Sequence, residues 1–124
     1  MAIIKVTVTA AGVSAVKNPQ TAKQKGTVIW VFDPDPGNLH VVFKKVELSN
    51  NSGVLLINER GPFYRPLSMR GKRLSGTIAP NAPDGRYLYD IHDGNNKQVK
   101  WLTPLSPDQN FGGLDVPKPP PRSQ

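Results

Sequence analysis

The chain contains no cysteine. Disulfides, thiolate metal sites and cysteine nucleophiles are excluded at once, so stability has to come from packing. Long apolar runs are missing too. No segment approaches the roughly 20 apolar residues that span a bilayer. The amino-terminal MAIIKVTVTAAG is interrupted by Lys5, unlike the unbroken apolar centre of an export signal. The expectation is a soluble cytoplasmic protein with no membrane partner. Helical periodicity is equally absent, since no window sustains apolar residues at i, i+3 and i+4. Chemistry-bearing motifs are sparse. No serine sits in a Gly-x-Ser-x-Gly setting, neither of the two histidines has an evident serine partner, and no glycine loop is built to cradle phosphate. The reading is a non-enzymatic protein with no catalytic residues and no cofactor.

What is present suits short strands. The 124 residues make one domain, and 13 prolines with 11 glycines imply many turns. Ala2 to Ala10 alternates, with Ile4, Val6 and Val8 on the core face. Thr27 to Asp33 (TVIWVFD) places Val28, Trp30 and Phe32 on one side and Ile29 and Val31 on the other, the pattern of a central strand or a contact surface. Leu39 to Leu48, Val54 to Asn58 and Leu74 to Ala79 add further strands. Gly85 to Trp101 reads as a hairpin around Asp93-Gly94-Asn95-Asn96, because Gly and Asn tolerate the positive φ of tight turns. Its rings Tyr87 and Tyr89, with Ile91 and Trp101, are expected to face inward. Roughly seven to nine strands at regular spacing predict an all-β antiparallel sandwich over 1–103. From 104 to 124 a proline-rich tail should run extended, with Phe111, Leu114 and Val116 as anchors for a neighbouring subunit.

The strand containing GTVIWVF, the strand with His-Val-Val-Phe and the late GRYLY strand before an Asp-Gly turn resemble the cupredoxin family in the same order. The resemblance spans about residues 26 to 103 and implies a Greek-key, cupredoxin-like sandwich. It also implies where copper ligands would stand. Ile91 occupies the cysteine position, Gly94 that of the second histidine, and Leu39 that of the first, one residue before His40. The likeness therefore carries architecture without copper, since a blue-copper centre needs a thiolate. The Asp-Pro pairs and the late aspartate turn are also similar to the small bacterial DP-EP family of β-sandwich proteins, which implies a fold and no function.

Three candidate functions remain. The first is a binding or assembly module forming a homo-oligomer through the two-sided apolar strand or the carboxy-terminal arm. The second is polyanion binding. The formal charge of +7 favours nucleic acid or acidic proteins. The densest basic segment, Phe63-Tyr64-Arg65 followed by Arg70, Lys72 and Arg73, sets cations beside aromatics able to stack on bases. Against it stands a solvated loop whose arginines cover apolar rims. The third is a mononuclear metal site using His40 and His92 with Asp90. Against that, Tyr87, Tyr89 and Ile91 claim the core face, which turns His92 and Asp90 outward as exposed polar residues beside a turn. The clustered aspartates Asp33, Asp35, Asp90 and Asp93 match no calcium loop and read as turn formers.

Overall fold

The structure, a computed structural model, describes residues 1–49 and 53–118. Among the described residues ten strands form two sheets that face each other. They are β1 (Ala2–Thr9), β2 (Gly12–Ala15), β3 (Gln20–Thr21), β4 (Thr27–Asp33), β5 (His40–Leu48), β6 (Val54–Leu56), β7 (Ser68–Arg70), β8 (Arg73–Thr77), β9 (Gly85–His92) and β10 (Gly112–Val116). One sheet runs β2-β1-β4-β8-β7 and the other β3-β10-β9-β5-β6. The all-β sandwich expected from the sequence is present, but the sheets are mixed rather than antiparallel. β1 pairs parallel to β4, and β3 parallel to β10.

Alternation builds the first sheet. Ile4 and Val6 are buried while Ile3 and Lys5 are not, and in β4 Val28, Trp30 and Phe32 are buried. The parallel register sets Ile4 beside Trp30 and Val6 beside Phe32, so both strands place their apolar face against the second sheet. There Trp30 meets Tyr89, with ring centroids 5.5 Å apart, and donates its Nε1–H to the Tyr89 hydroxyl at 3.1 Å. Phe43, Phe63 and Trp101 complete the cluster at edge-on or tilted angles that suit aromatic quadrupoles. Tyr87, Tyr89, Ile91 and Trp101 are all buried, as their spacing predicts.

The return arm of the hairpin differs from expectation. After the turn at Asp93, Val99 donates back to Ile91, and then the chain leaves β9 for the other sheet. Val13 donates to the Lys100 carbonyl, and Leu102 donates to the Val13 carbonyl. Trp101 therefore bridges the two layers at one side of the sandwich.

The carboxy-terminal expectation needs a larger correction. Gly112–Val116 is an internal strand of the second sheet, held between β9 and β3, with Leu114 and Val116 buried in the chain's own core. The sandwich thus extends to Val116 rather than ending at 103. Leu114 and Val116 are not available as anchors for a neighbour, and Phe111 is half-buried with the Lys45 ammonium 5.7 Å from its ring centroid. The call of an extended tail over 119–124 lies outside the described residues.

Candidate functional site

Three surfaces carry the polar and apolar groups that the sequence singles out. The first is the outer side of β9 near its carboxy end. Cross-strand register sets His40 against His92 and Val42 against Asp90, and the two imidazole centroids stand 5.7 Å apart. The structure thus brings His40, Asp90 and His92 together. It corrects their expected exposure, however: Asp90 is 4% and His92 8% exposed. Other polar groups close over them. Gln98 Nε2 donates to Asp90 Oδ1 at 3.0 Å and also to the Asn110 carbonyl. His92 Nε2 lies 3.3 Å from Asp90 Oδ2, and the Lys44 ammonium 3.7 Å from the same oxygen. His92 Nδ1 lies 2.9 Å from Asn96 Oδ1. Asn96 reaches that position from the hairpin turn in a left-handed conformation, φ 59°.

This arrangement spends the cluster's hydrogen-bonding capacity on the fold. A buried carboxylate is costly unless its oxygens are engaged, and here both are. Each ring nitrogen of His92 has a partner within the chain, so neither nitrogen is left facing solvent. Among the described residues no group of three or more His, Cys, Asp or Glu side chains is placed to hold a metal ion. The outward-facing aspartates behave as turn formers: Asp93 Oδ1 accepts from the amides of Asn95 and Lys97, and those bonds hold its carboxyl below the usual carboxylate range.

The second surface is the outer face of the first sheet. The expected polyanion-binding residues divide here. Arg70 and Arg73 are register partners on the outer face, and Lys72 occupies the turn between them. Arg65 lies toward the other end of β8, where Tyr64 donates to the Thr77 carbonyl. Phe63 belongs to the core and is lost as a stacking surface, whereas Tyr64 is 61% exposed. Its neighbour Arg65 sets its guanidinium carbon 5.6 Å from the Tyr64 ring centroid. The sequence reading missed Lys5, which joins this surface through a parallel register that no local pattern announces.

The third surface is the free edge of the second sheet at β6. Among the described residues this strand pairs with β5 alone, Lys45 opposite Leu56 and Glu47 opposite Val54. Val54, Leu55 and Leu56 are 54%, 49% and 89% exposed. Three consecutive apolar residues in a strand necessarily show apolar side chains to both sides. That signal was legible in the sequence as Val-Leu-Leu, although the strand's place at an edge was not. By contrast, a surface cleft of about 470 Å³ beside β9 and β10 is occupied electrostatically. Arg86 there makes a bidentate pair with Asp115 at 2.7 and 3.1 Å, and that hydrogen bonding raises its pKa.

Comparisons with family models, with curated proteins and with solved structures each return no match to this chain.

Proposed function

We propose that the protein is a non-enzymatic assembly module that associates with a second copy of itself by pairing β6 with β6 across a two-fold axis. The carrying observation is the exposed apolar edge Val54-Leu55-Leu56. Half the backbone N–H and C=O groups of an edge strand point away from the sheet and can template another strand. Natural edges are usually blunted by brevity, charge, proline or a bulge; this one is only three residues long but carries no charge, proline or bulge of its own. A two-fold contact is self-complementary, and antiparallel pairing about Leu55 would join two five-stranded sheets into one continuous layer. Val54 and Leu56 of each copy then lie on one side and Leu55 on the other. The first sheet does not compete for this role. Its β4 is central, and the outward Ile29 and Val31 are half-buried among neighbours. The cupredoxin-like resemblance enters the reading as a likeness of architecture alone, without copper.

The strength expected is modest. Burying each of these side chains contributes about 1.5–3 kcal/mol in full, and association costs about 4 kcal/mol or more. A three-residue edge therefore supports a reversible dimer with Kd on the order of 10–100 µM. Light scattering coupled to size exclusion, run across that range, should show mass rising from one chain toward two. Leu56→Lys should abolish the rise while the unfolding temperature stays within a few degrees. A mass independent of concentration and of Leu56→Lys would overturn the proposal.

A further inference from the structure

We infer that the outer face of the first sheet is a binding site for single-stranded nucleic acid, with a phosphate-binding row formed by Lys5, Arg73 and Arg70 and a stacking platform at Tyr64. The site uses a surface separate from the β6 edge and does not depend on the dimer.

Charge is divided between the layers. The strands of the second sheet carry Lys44, Lys45 and Arg86 against Glu47, Asp90 and Asp115, and two of the pairs, Lys44–Asp90 and Arg86–Asp115, are in contact. The strands of the first sheet carry Lys5, Arg70 and Arg73 against Asp33 alone. None of those three cations forms an ion pair among the described residues. Their positions are set by register. Lys5 pairs with Val31, Val31 with Arg73 and Arg73 with Arg70, so the three lie in one line across β1, β4, β8 and β7. All are exposed, because Leu74 and Trp30 take the inward parity of their strands. With neighbouring strands about 4.8 Å apart, the row spans about 14 Å. Lys72 adds a further exposed cation at the β7–β8 turn.

The aromatic component selects among polyanions. Phe63 bridges to Ile78 and points into the core, and the next residue, Tyr64, turns the opposite way into solvent with Arg65 stacked beside it. Tyr64 lies at the Thr77 end of β8, four residues from Arg73, about 13 Å along the strand. An exposed ring flanked by arginine and followed by a line of unpaired cations matches an unpaired strand. Its bases present faces for stacking and its phosphates follow the row. A duplex hides its bases and a sulfated glycan has none, so neither uses Tyr64.

The test is fluorescence anisotropy with the full chain and a labelled thymidine oligomer of about 20 nucleotides, alongside a duplex of equal length and heparin as competitor. Three phosphate contacts predict a log–log salt slope near −2, hence about a 20-fold loss of affinity between roughly 50 and 200 mM salt. Arg70→Ala with Arg73→Ala should flatten the slope by about 1.4. Tyr64→Ala should weaken oligomer binding about tenfold and leave the slope unchanged. Leu56→Lys should bind as the parent does, which separates this site from the dimer edge. Absence of binding at the lower salt would overturn the inference. So would equal affinity for duplex or heparin that is insensitive to Tyr64→Ala, since that outcome describes a charged surface without strand recognition.

Discussion

Gly112→Ala should be among the most damaging small substitutions in the chain, and its cost can be worked from the β9–β10 ladder. Gly112 stands opposite Tyr89. A Cβ added there would enter the Tyr89 ring, meeting Cε2 and the hydroxyl oxygen at 2.6 Å. The ring cannot withdraw, because Phe43 packs 5.3 Å, Trp30 5.5 Å and Trp101 5.8 Å from its centroid. Overpacking of this kind costs about 1–3 kcal/mol. Displacing the hydroxyl also strands the buried Trp30 N–H, for about 1–3 kcal/mol more. A total of about 2–6 kcal/mol in a domain of this size should lower Tm by roughly 8–23 °C. Gly37→Ala is the control. Gly37 has φ 54° and nothing within 4 Å of an added Cβ, so only left-handed strain of about 1–2 kcal/mol applies. Thermal unfolding followed by near-ultraviolet circular dichroism measures both. In the double variant Gly112→Ala, Tyr89→Leu the smaller side chain makes room, and the two costs should fall short of additivity by at least about 1 kcal/mol. A Gly112→Ala protein that melts within about 2 °C of the parent would refute the reasoning and remove β10 from its place beside Tyr89.

Two further predictions concern the same core. Trp30→Phe should destabilise more than Trp101→Phe when unfolding is followed by denaturant titration. The Trp30 N–H is bonded to Tyr89, whereas the buried Trp101 N–H has no partner to lose among the described residues. Alkaline unfolding should begin above the ordinary tyrosine range. Burial, assisted by Asp84, pushes the Tyr87 pKa up to about 12, and burial raises Tyr89 as well. Folded-state values above the unfolded ones give stability that is complete below about pH 10 and lost as pH rises toward 12. Tyr87→Phe should reduce that loss in a pH-dependent melting series, and an unchanged slope between pH 10 and 12 would contradict it.

Sequence pattern revealed the layers better than it revealed their joining. β1, β4 and β9 announce themselves by alternation, and the Asp93 turn by its chemistry. The parallel pairing of β1 with β4 depends on contacts across a long stretch of chain, and it is that pairing which brings Lys5 into line with Arg73. β10 was illegible because Gly112 and Gly113, set among prolines, read as a break. Both glycines are needed for close packing instead: Tyr89 fills the space over one, and Leu105 and Pro19 the space over the other. Asp90 and His92 were assigned the right face and the wrong exposure, since Gln98 and Asn96 reach them only after the chain has turned.

The assembly reading is tested most directly by cross-linking, because a chain without cysteine reports only the thiol placed in it. Leu55→Cys puts one thiol at the centre of the proposed β6–β6 pair, and Val16→Cys puts one at a 95% exposed position just after β2. On mild oxidation at a concentration near the expected Kd, the Leu55→Cys protein should convert rapidly to a covalent dimer and the Val16→Cys protein slowly. Equal rates for the two would contradict edge pairing through β6.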